Sequence, residues 1–235
     1  MVKIIGAGLA GSEAAWYLAN KGIKVSLYEM RPVKKTEAHQ TNDFAELVCS
    51  NSLRSNDPLN AVGMLKEEMR AIGSLILEAA NDTQVNAGSS LAVDRIGFAA
   101  YVTNKIKSHP NITVFHEEVT NINPDEFTIV CAGPLASDLL TTHLQELFGV
   151  KKLNFFDAIA PILDGTTINY DVVYLKSRYD KGEAAYLNCP MNEAEYKTFY
   201  EALTTAERAG FKDFEVNVFE GCMPVEVMAS RGVET

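Results

Sequence analysis

Cysteine is scarce in this sequence. Four thiols occur in 235 residues, at positions 49, 131, 189 and 222, separated by 82, 58 and 33 residues. No pair has the close Cys-x-x-Cys type of spacing that a zinc site or a dithiol redox motif needs, so neither a metal site nor a disulfide framework is expected. Long apolar runs are also missing: none approaches the roughly 18 residues of a membrane span, and no membrane association is expected. Positive charge is in deficit. Lys and Arg number 21 against 31 Asp and Glu, a net charge of −10, so a polyanionic partner has to be met by a local basic patch and not by the overall field. Internal repeats and low-complexity tracts are absent. The start, Met1-Val2-Lys3-Ile4-Ile5, runs straight into a strand pattern with no room for a leader segment, which makes the reducing cytoplasm the expected compartment. No stable protein partner is read from the chain.

The composition, 47% hydrophobic and 22% charged, belongs to a globular protein. At roughly 150 residues per domain, the length accommodates one large domain or one domain and part of a second. Val2 to Ile5 is a short β-branched run. It is followed by Gly6-Ala7-Gly8-Leu9-Ala10-Gly11 and then by Ser12 to Lys21, where Ala14, Ala15 and Leu18 recur at helical spacing. Gly22 ends that pattern, and Ile23 to Tyr28 alternates as a second strand that stops at Glu29. Strand, glycine turn, helix and strand make a βαβ unit of the Rossmann-like kind.

Each glycine has a distinct task in such a unit. Gly6 permits the tight turn, Gly8 lets backbone approach a pyrophosphate, and Gly11 lets the helix pack on the strand, while the helix N-terminus receives the phosphate charge. Ala7, Leu9 and Ala10 complete the cofactor-binding turn. Glu29 lies 18 residues past Gly11, where a carboxylate can hydrogen-bond both ribose hydroxyls of an adenosine; this favours FAD or NAD over NADP. Arg31 keeps the other reading open, because a guanidinium there can meet a 2′-phosphate.

Residues 30 to 60 read as a long loop region containing one mostly apolar stretch, Phe44 to Cys49. Val62, Leu65, Met69, Ile72 and Ile76 form one helical stripe, which assigns Met64 and Met69 to packing. A helix is expected over Ile96 to Lys107, strands over Ile112 to Phe115 and Phe127 to Val130, and a helix over Leu135 to Leu147. The run from Thr128 through Cys131 to Gly133-Pro134 is an apolar strand ending in small residues. In flavoproteins with two dinucleotide folds such an end lies close to the cofactor, so Gly133 joins the candidate cofactor contacts and FAD is preferred; an ordinary buried strand with Cys131 as a core thiol explains it almost as well. From about Asp164 the texture turns aromatic-rich, which places a boundary near 165. The fold class expected is α/β: a parallel-sheet domain over 1–165 and the beginning of an α+β domain over 166–235. In the second region Lys176, Arg178 and Lys181 interleave with Tyr174 and Tyr179, a pattern that suits either a phosphate backbone with stacked bases or a solvated turn. The four histidines, His39, His109, His116 and His143, read as surface or satisfied groups.

Longer strings carry a family resemblance. Gly6-Ala7-Gly8-Leu9-Ala10-Gly11-Ser12-Glu13-Ala14-Ala15, Tyr28-Glu29-Met30-Arg31-Pro32, Glu46-Leu47-Val48-Cys49-Ser50-Asn51-Ser52-Leu53-Arg54-Ser55, Tyr174-Leu175-Lys176-Ser177-Arg178-Tyr179-Asp180-Lys181-Gly182-Glu183 and Glu220-Gly221-Cys222-Met223-Pro224 closely resemble the TrmFO family of folate- and FAD-dependent tRNA (uracil-5-)-methyltransferases. The resemblance implies transfer of a one-carbon unit from 5,10-methylenetetrahydrofolate through reduced FAD to C5 of a T-loop uridine, with NAD(P)H as reductant and the tRNA T-arm as partner. It implies an FAD-binding domain interrupted by an insertion domain and resumed further on. This sequence ends at Thr235, directly after the apolar run Met223 to Met228, and reads as C-terminally truncated. The sister enzymes that methylate a ribosomal RNA uridine share these strings.

Uracil C5 is a poor nucleophile until a thiolate adds at C6, and a cytosolic thiol of pKa about 8.5 needs an activating cation or base. Arg54 follows Cys49 by five residues, and Cys222 sits in a Gly-Cys-Met-Pro turn. The resemblance places functional thiols at Cys49 and Cys222; Cys49 is assigned as the C6 nucleophile and Cys222 as the assisting thiol, with the roles open to exchange. Two other readings remain: a small-molecule flavin or NAD oxidoreductase, and a catalytically silent FAD-binding remnant.

Overall fold

The computed structural model describes residues 1–36, 38–149, 163–177, 180, 183–207 and 224–234. The chain forms two compact units, Met1–Leu153 and Asn154–Thr235.

The first unit is built on a parallel sheet. β1 (Val2–Ile5) leads through the glycine turn into α1 (Leu9–Asn20), which returns the chain to β2 (Val25–Glu29). Val2 pairs with Val25 and Ile5 with Tyr28. After β2 come β3 (Ser52–Ser55), α2 (Ala61–Ala71), α3 (Leu75–Asp82), β4 (Gln84–Val85), β5 (Ser90–Val93), α4 (Arg95–Ser108), β6 (Ile112–His116), β7 (Thr128–Val130) and α5 (Asp138–Phe148). The parallel sheet runs in the order β6-β2-β1-β7, while β3, β5 and β4 form a separate antiparallel sheet with β5 in the middle. The α/β class expected from the sequence is the one observed.

Small residues decide how closely α1 approaches. Gly11, Ser12, Ala15 and Ala19 face inward, so the helix lies against the strands, and α3 and α4 pack beside it. Ile4, Leu27, Phe44, Leu75, Phe98 and Ile106 are sealed from solvent in the core between them; full burial of such a side chain stabilises by about 1.5–3 kcal/mol. α4 starts where Asp94 Oδ1 accepts the Gly97 N–H at 2.6 Å, and it ends with Lys105 and Lys107 near its carbonyl terminus.

Three expectations are corrected. The stripe from Val62 to Ile76 is not one helix: Gly73 takes a left-handed φ of 82° and Ser74 caps a new helix by accepting the Leu77 N–H. The break rotates the pattern, so Met64, Leu65 and Ile72 are exposed and only Met69 of the two methionines packs against the core. The last helix of this unit begins at Asp138 and not at Leu135, because Gly133–Leu135 forms a 3-10 turn and Ser137 is the cap. Finally β7 is an edge strand among the described residues, with Phe127, Ile129 and Val130 exposed.

The second unit has an antiparallel hairpin, β8 (Tyr174–Lys176) with β9 (Tyr186–Asn188), followed by α6 (Glu193–Thr205) and α7 (Val225–Ala229). α6 opens with a reciprocal cap in which Asn192 and Glu195 each accept the other's backbone N–H. Tyr196 on α6 donates its hydroxyl to the Val233 carbonyl at 2.7 Å.

Candidate functional site

The carboxyl ends of β1, β2 and β7 open onto a cleft. From β1 the chain moves outward to β2 and β6 on one side and then crosses back to β7 on the other side of β1, so the cleft lies at the switch point where open parallel sheets take their ligands. Its lining includes Gly6, Gly8, Glu29, Arg31, His39 and Cys131.

The turn is shaped by two close approaches and one gap. Gly6 has φ of 98°, and a Cβ there would lie 2.7 Å from the Cys131 carbonyl oxygen. A Cβ on Gly11 would lie 1.8 Å from the Gly6 carbonyl oxygen. Gly8 is different: its φ of −71° suits any residue, and a Cβ there would meet nothing within 4 Å. Neither backbone conformation nor packing therefore asks for glycine at 8. The remaining physical reason is a ligand that needs the room. Directly beyond Gly8, α1 begins with no capping side chain and no acidic residue in its first turn, which leaves its positive end to the exposed turn of Leu9 and Ala10.

Glu29 is buried at the end of β2. Oε2 accepts the Ala7 N–H at 3.0 Å, and Oε1 accepts both the backbone N–H of Arg31 at 3.1 Å and its Nε at 2.9 Å. Burial pushes this carboxyl up, but the Arg31 hydrogen bond and charge, with the backbone N–H groups of Arg31 and Ala7, more than offset it and hold the pKa below the ordinary 4.5. Three of the roughly four acceptor positions of a carboxylate are thus filled from within the protein, leaving about one for a sugar hydroxyl. Arg31, 2% exposed, also donates through Nη1 to Glu46 at 2.9 Å and to the Thr41 carbonyl at 3.3 Å. Its charge is taken up by two carboxylates, so the structure brings no support to its reading as a 2′-phosphate ligand.

Glu46 was not singled out as a site residue by the sequence reading. It accepts from the Gln40 and Thr41 backbone N–H groups and from the Thr41 hydroxyl, so one carboxylate gathers the whole 40–46 loop. Next to it the Ala45 N–H donates to the Ala7 carbonyl at 2.8 Å, and Phe44 is buried with its N–H on Thr103 Oγ1. The signal in the sequence was a lone acid inside an apolar run, following an arginine. His39, also in the cleft, shares a 2.6 Å hydrogen bond with Thr36 Oγ1. Burial, then the Arg31 charge, lowers its pKa below 6.5 against the opposing pull of Glu46 and Glu29.

Cys131 is half-buried on the cleft wall, and burial raises its pKa. Cys49 is exposed and lies outside the residues that line the cleft. It follows the docked loop, and its carbonyl accepts from Arg95 Nη2 at 3.3 Å at the start of α4. Arg54 sits at the exposed edge of β3 with φ of 67°. Gly133, with φ of 62°, opens the 3-10 turn beside the cleft-lining Ala132 and Leu135. Lys176 on β8 is exposed and pairs with Asp180 at 3.4 Å; Arg178, Lys181 and Cys222 lie outside the described residues. All four histidines have partners: besides His39, His109 Nδ1 accepts the Asn111 N–H, His116 Nδ1 donates to the Arg31 carbonyl, and His143 Nε2 accepts the Ile122 N–H. Among the described residues no cluster of His, Cys, Asp and Glu is arranged to hold a metal, and no helix is long and apolar enough to cross a membrane.

A parallel α/β sheet with a glycine turn, an uncapped helix end and a strand-end carboxylate at its switch point defines a Rossmann-like dinucleotide-binding domain. The chain belongs to the glucose inhibited division protein A family, whose model matches residues 1–235. Its sequence is 69% identical to a protein of Acholeplasma laidlawii and 63% identical to one of Bacillus subtilis, each named methylenetetrahydrofolate–tRNA-(uracil-5-)-methyltransferase TrmFO, over 100% of this chain in both cases and over 55% and 54% of theirs. The chain thus spans about half the length of the curated relatives it matches. Among solved structures, GidA of Aquifex aeolicus is similar over 52% of this chain and 20% of its own, with a TM-score of 0.42 and 21% identity.

Proposed function

We propose that this chain is the FAD-binding half of a folate-dependent tRNA (uracil-5-)-methyltransferase, with residues 1–165 forming the N-terminal part of the FAD domain and 166–235 the start of an inserted domain. The observation that carries the reading is the open space over Gly8, a glycine that the fold itself does not require, beside an α1 N-terminus that nothing caps. The turn from Gly6 to Gly11 then holds the diphosphate, the remaining acceptor of Glu29 takes a ribose hydroxyl, Arg31 fixes Glu29, and Gly133 borders the cofactor. Bound FAD supplies one-carbon and electron transfer, with 5,10-methylenetetrahydrofolate and NAD(P)H as co-substrates in the cytoplasm. The names and 60–69% identities of the relatives support the same reading.

For the RNA, Cys49 is the group that adds to C6 of the uracil. The bond from Sγ to C6 forms as the C5–C6 π pair moves toward C5, which makes C5 nucleophilic; Cys222 assists as base or protecting thiol. Lys176, Arg178 and Lys181 contact the phosphates of the tRNA T-arm. The experiment is reconstitution of the purified chain with FAD. Gly8→Val is expected to abolish flavin uptake while circular dichroism stays unchanged; a chain that remains colourless in excess FAD overturns the reading in favour of a remnant. In the intact enzyme, Cys49→Ala is expected to stop uridine methylation without loss of flavin, and normal turnover would remove Cys49 from the mechanism. A T-arm hairpin should bind with an affinity that falls steeply with salt; methylation of ribosomal RNA in its place would transfer the assignment to the sister activity.

A further inference from the structure

The segment that carries Cys49 meets the glycine turn at one residue, Ala7, whose own N–H is anchored elsewhere. The Ala7 N–H is held by Glu29, and the Ala7 carbonyl accepts from the Ala45 N–H at 2.8 Å and from Ser12 Oγ at 3.2 Å. A second connection runs through charge: Glu29 to Arg31 Nε at 2.9 Å, Arg31 Nη1 to Glu46 at 2.9 Å, and Glu46 to the Gln40 N–H at 2.8 Å and the Thr41 hydroxyl at 2.9 Å. Gln40 and Thr41 at the far end of this connection lie at the surface, while its ionic part is buried, with side chains of Arg31, Glu29 and Glu46 exposed by 2%, 7% and 11%. Charge-assisted hydrogen bonds in such surroundings are directional and weakly screened. Cys49 lies three residues past Glu46, and of the residues between, Leu47 is buried. Little slack separates the clasp from the thiol.

We infer that Glu46 is a positioning residue: it clasps the 40–46 loop to Arg31 and so makes the presentation of the Cys49 thiol depend on whether the glycine turn and Glu29 hold a cofactor. A ribose hydroxyl that takes the remaining acceptor of Glu29 draws charge from the carboxylate and so weakens its hold on Arg31 without displacing it, and Arg31 passes the change to Glu46 because the guanidinium is shared between the two. The loop then responds at Thr41 and Ala45 rather than by a global movement. Such coupling requires two sites and a shared element that both bias, and the Arg31 guanidinium is that element. The inference rests on the cofactor reading above and names a residue that reading does not include.

The test is the rate at which iodoacetamide alkylates Cys49, followed by mass spectrometry of the Cys49 peptide, with and without saturating FAD, alongside an FAD titration. The unaltered chain is expected to show a several-fold change in Cys49 alkylation on adding FAD. Glu46→Gln keeps the shape of the side chain and removes its charge; it is expected to lose most of that FAD dependence while still taking up flavin, and Glu46→Asp to retain part of it. Cys189, exposed in the second unit, serves as the internal reference for the reagent, and circular dichroism reports any general loosening of the fold. An alkylation rate at Cys49 that ignores FAD in flavin-loaded protein overturns the inference and leaves the cofactor reading standing. Full FAD dependence in Glu46→Gln does the same. A chain that takes up no flavin overturns both.

Discussion

Arg31 shows how one residue changes meaning between sequence and structure. Two positions after the acid proposed to bind ribose, it reads as a competing phosphate ligand; folded, it is 2% exposed and lies between Glu29 and Glu46. Removing it leaves two carboxylates buried together, a situation that costs about 3–5 kcal/mol when a buried pair is broken. Arg31→Leu is therefore expected to lower stability by about that amount in urea unfolding, and an effect near zero would mean the ion pairs do not form. The pH dependence has a definite sign. In the unaltered chain the Glu29 pKa is held below its ordinary 4.5, so its pairing contributes stability in full above that value and loses it as pH falls through the lower folded value. In Arg31→Leu only the burial effect and the backbone hydrogen bonds remain. The acid limb of the melting temperature is then expected to flatten, and identical acid limbs in the two proteins would contradict this.

At the level of the element, the glycine turn separates what a helix needs from what a ligand needs. Gly11→Ala would place a methyl group 1.8 Å from the Gly6 carbonyl oxygen, so α1 has to move off β1; the expected loss is at least the 1–3 kcal/mol or so typical of overpacking. Gly8→Ala meets nothing and keeps an ordinary φ. Its stability is expected to change by under about 1 kcal/mol, yet its FAD affinity to fall. Both numbers come from one pair of titrations, urea and flavin, and equal stability losses in the two variants would erase the distinction. The helix starts follow the same local logic. Asp94 accepting the Gly97 N–H and Ser137 accepting the Leu140 N–H fix where α4 and α5 begin, and the first was recognisable in the sequence to within a residue. The break at Gly73 was not: the 3.6-residue period of apolar positions ran on through it, and only the left-handed φ showed that the stripe belongs to two helices.

Across the whole molecule, the charge of −10 coexists with uncovered apolar surface on β7, where Phe127 is 84% exposed and Ile129 and Val130 are each 38% exposed. An open strand edge with apolar residues pairs readily with another copy. The chain alone is expected to associate with rising concentration in sedimentation velocity, and Ile129→Lys to suppress this; a concentration-independent monomer would show that the edge is already protected.

The sequence by itself determined the βαβ opening, the positions of the three glycines and of Glu29, and the family strings, because these depend on short-range backbone demands and fixed spacing that a linear reading preserves. Only the tertiary structure decided that Arg31 is consumed by two carboxylates, that Glu46 gathers the loop before Cys49, and that Cys131 faces the cleft. Those facts depend on which residues, distant along the chain, share a low-dielectric space: Glu46 meets Arg31 across 15 positions and Phe44 meets Thr103 across 59. Periodicity carries no record of such meetings, since the burial that makes a charge pair strong is a property of the packed chain.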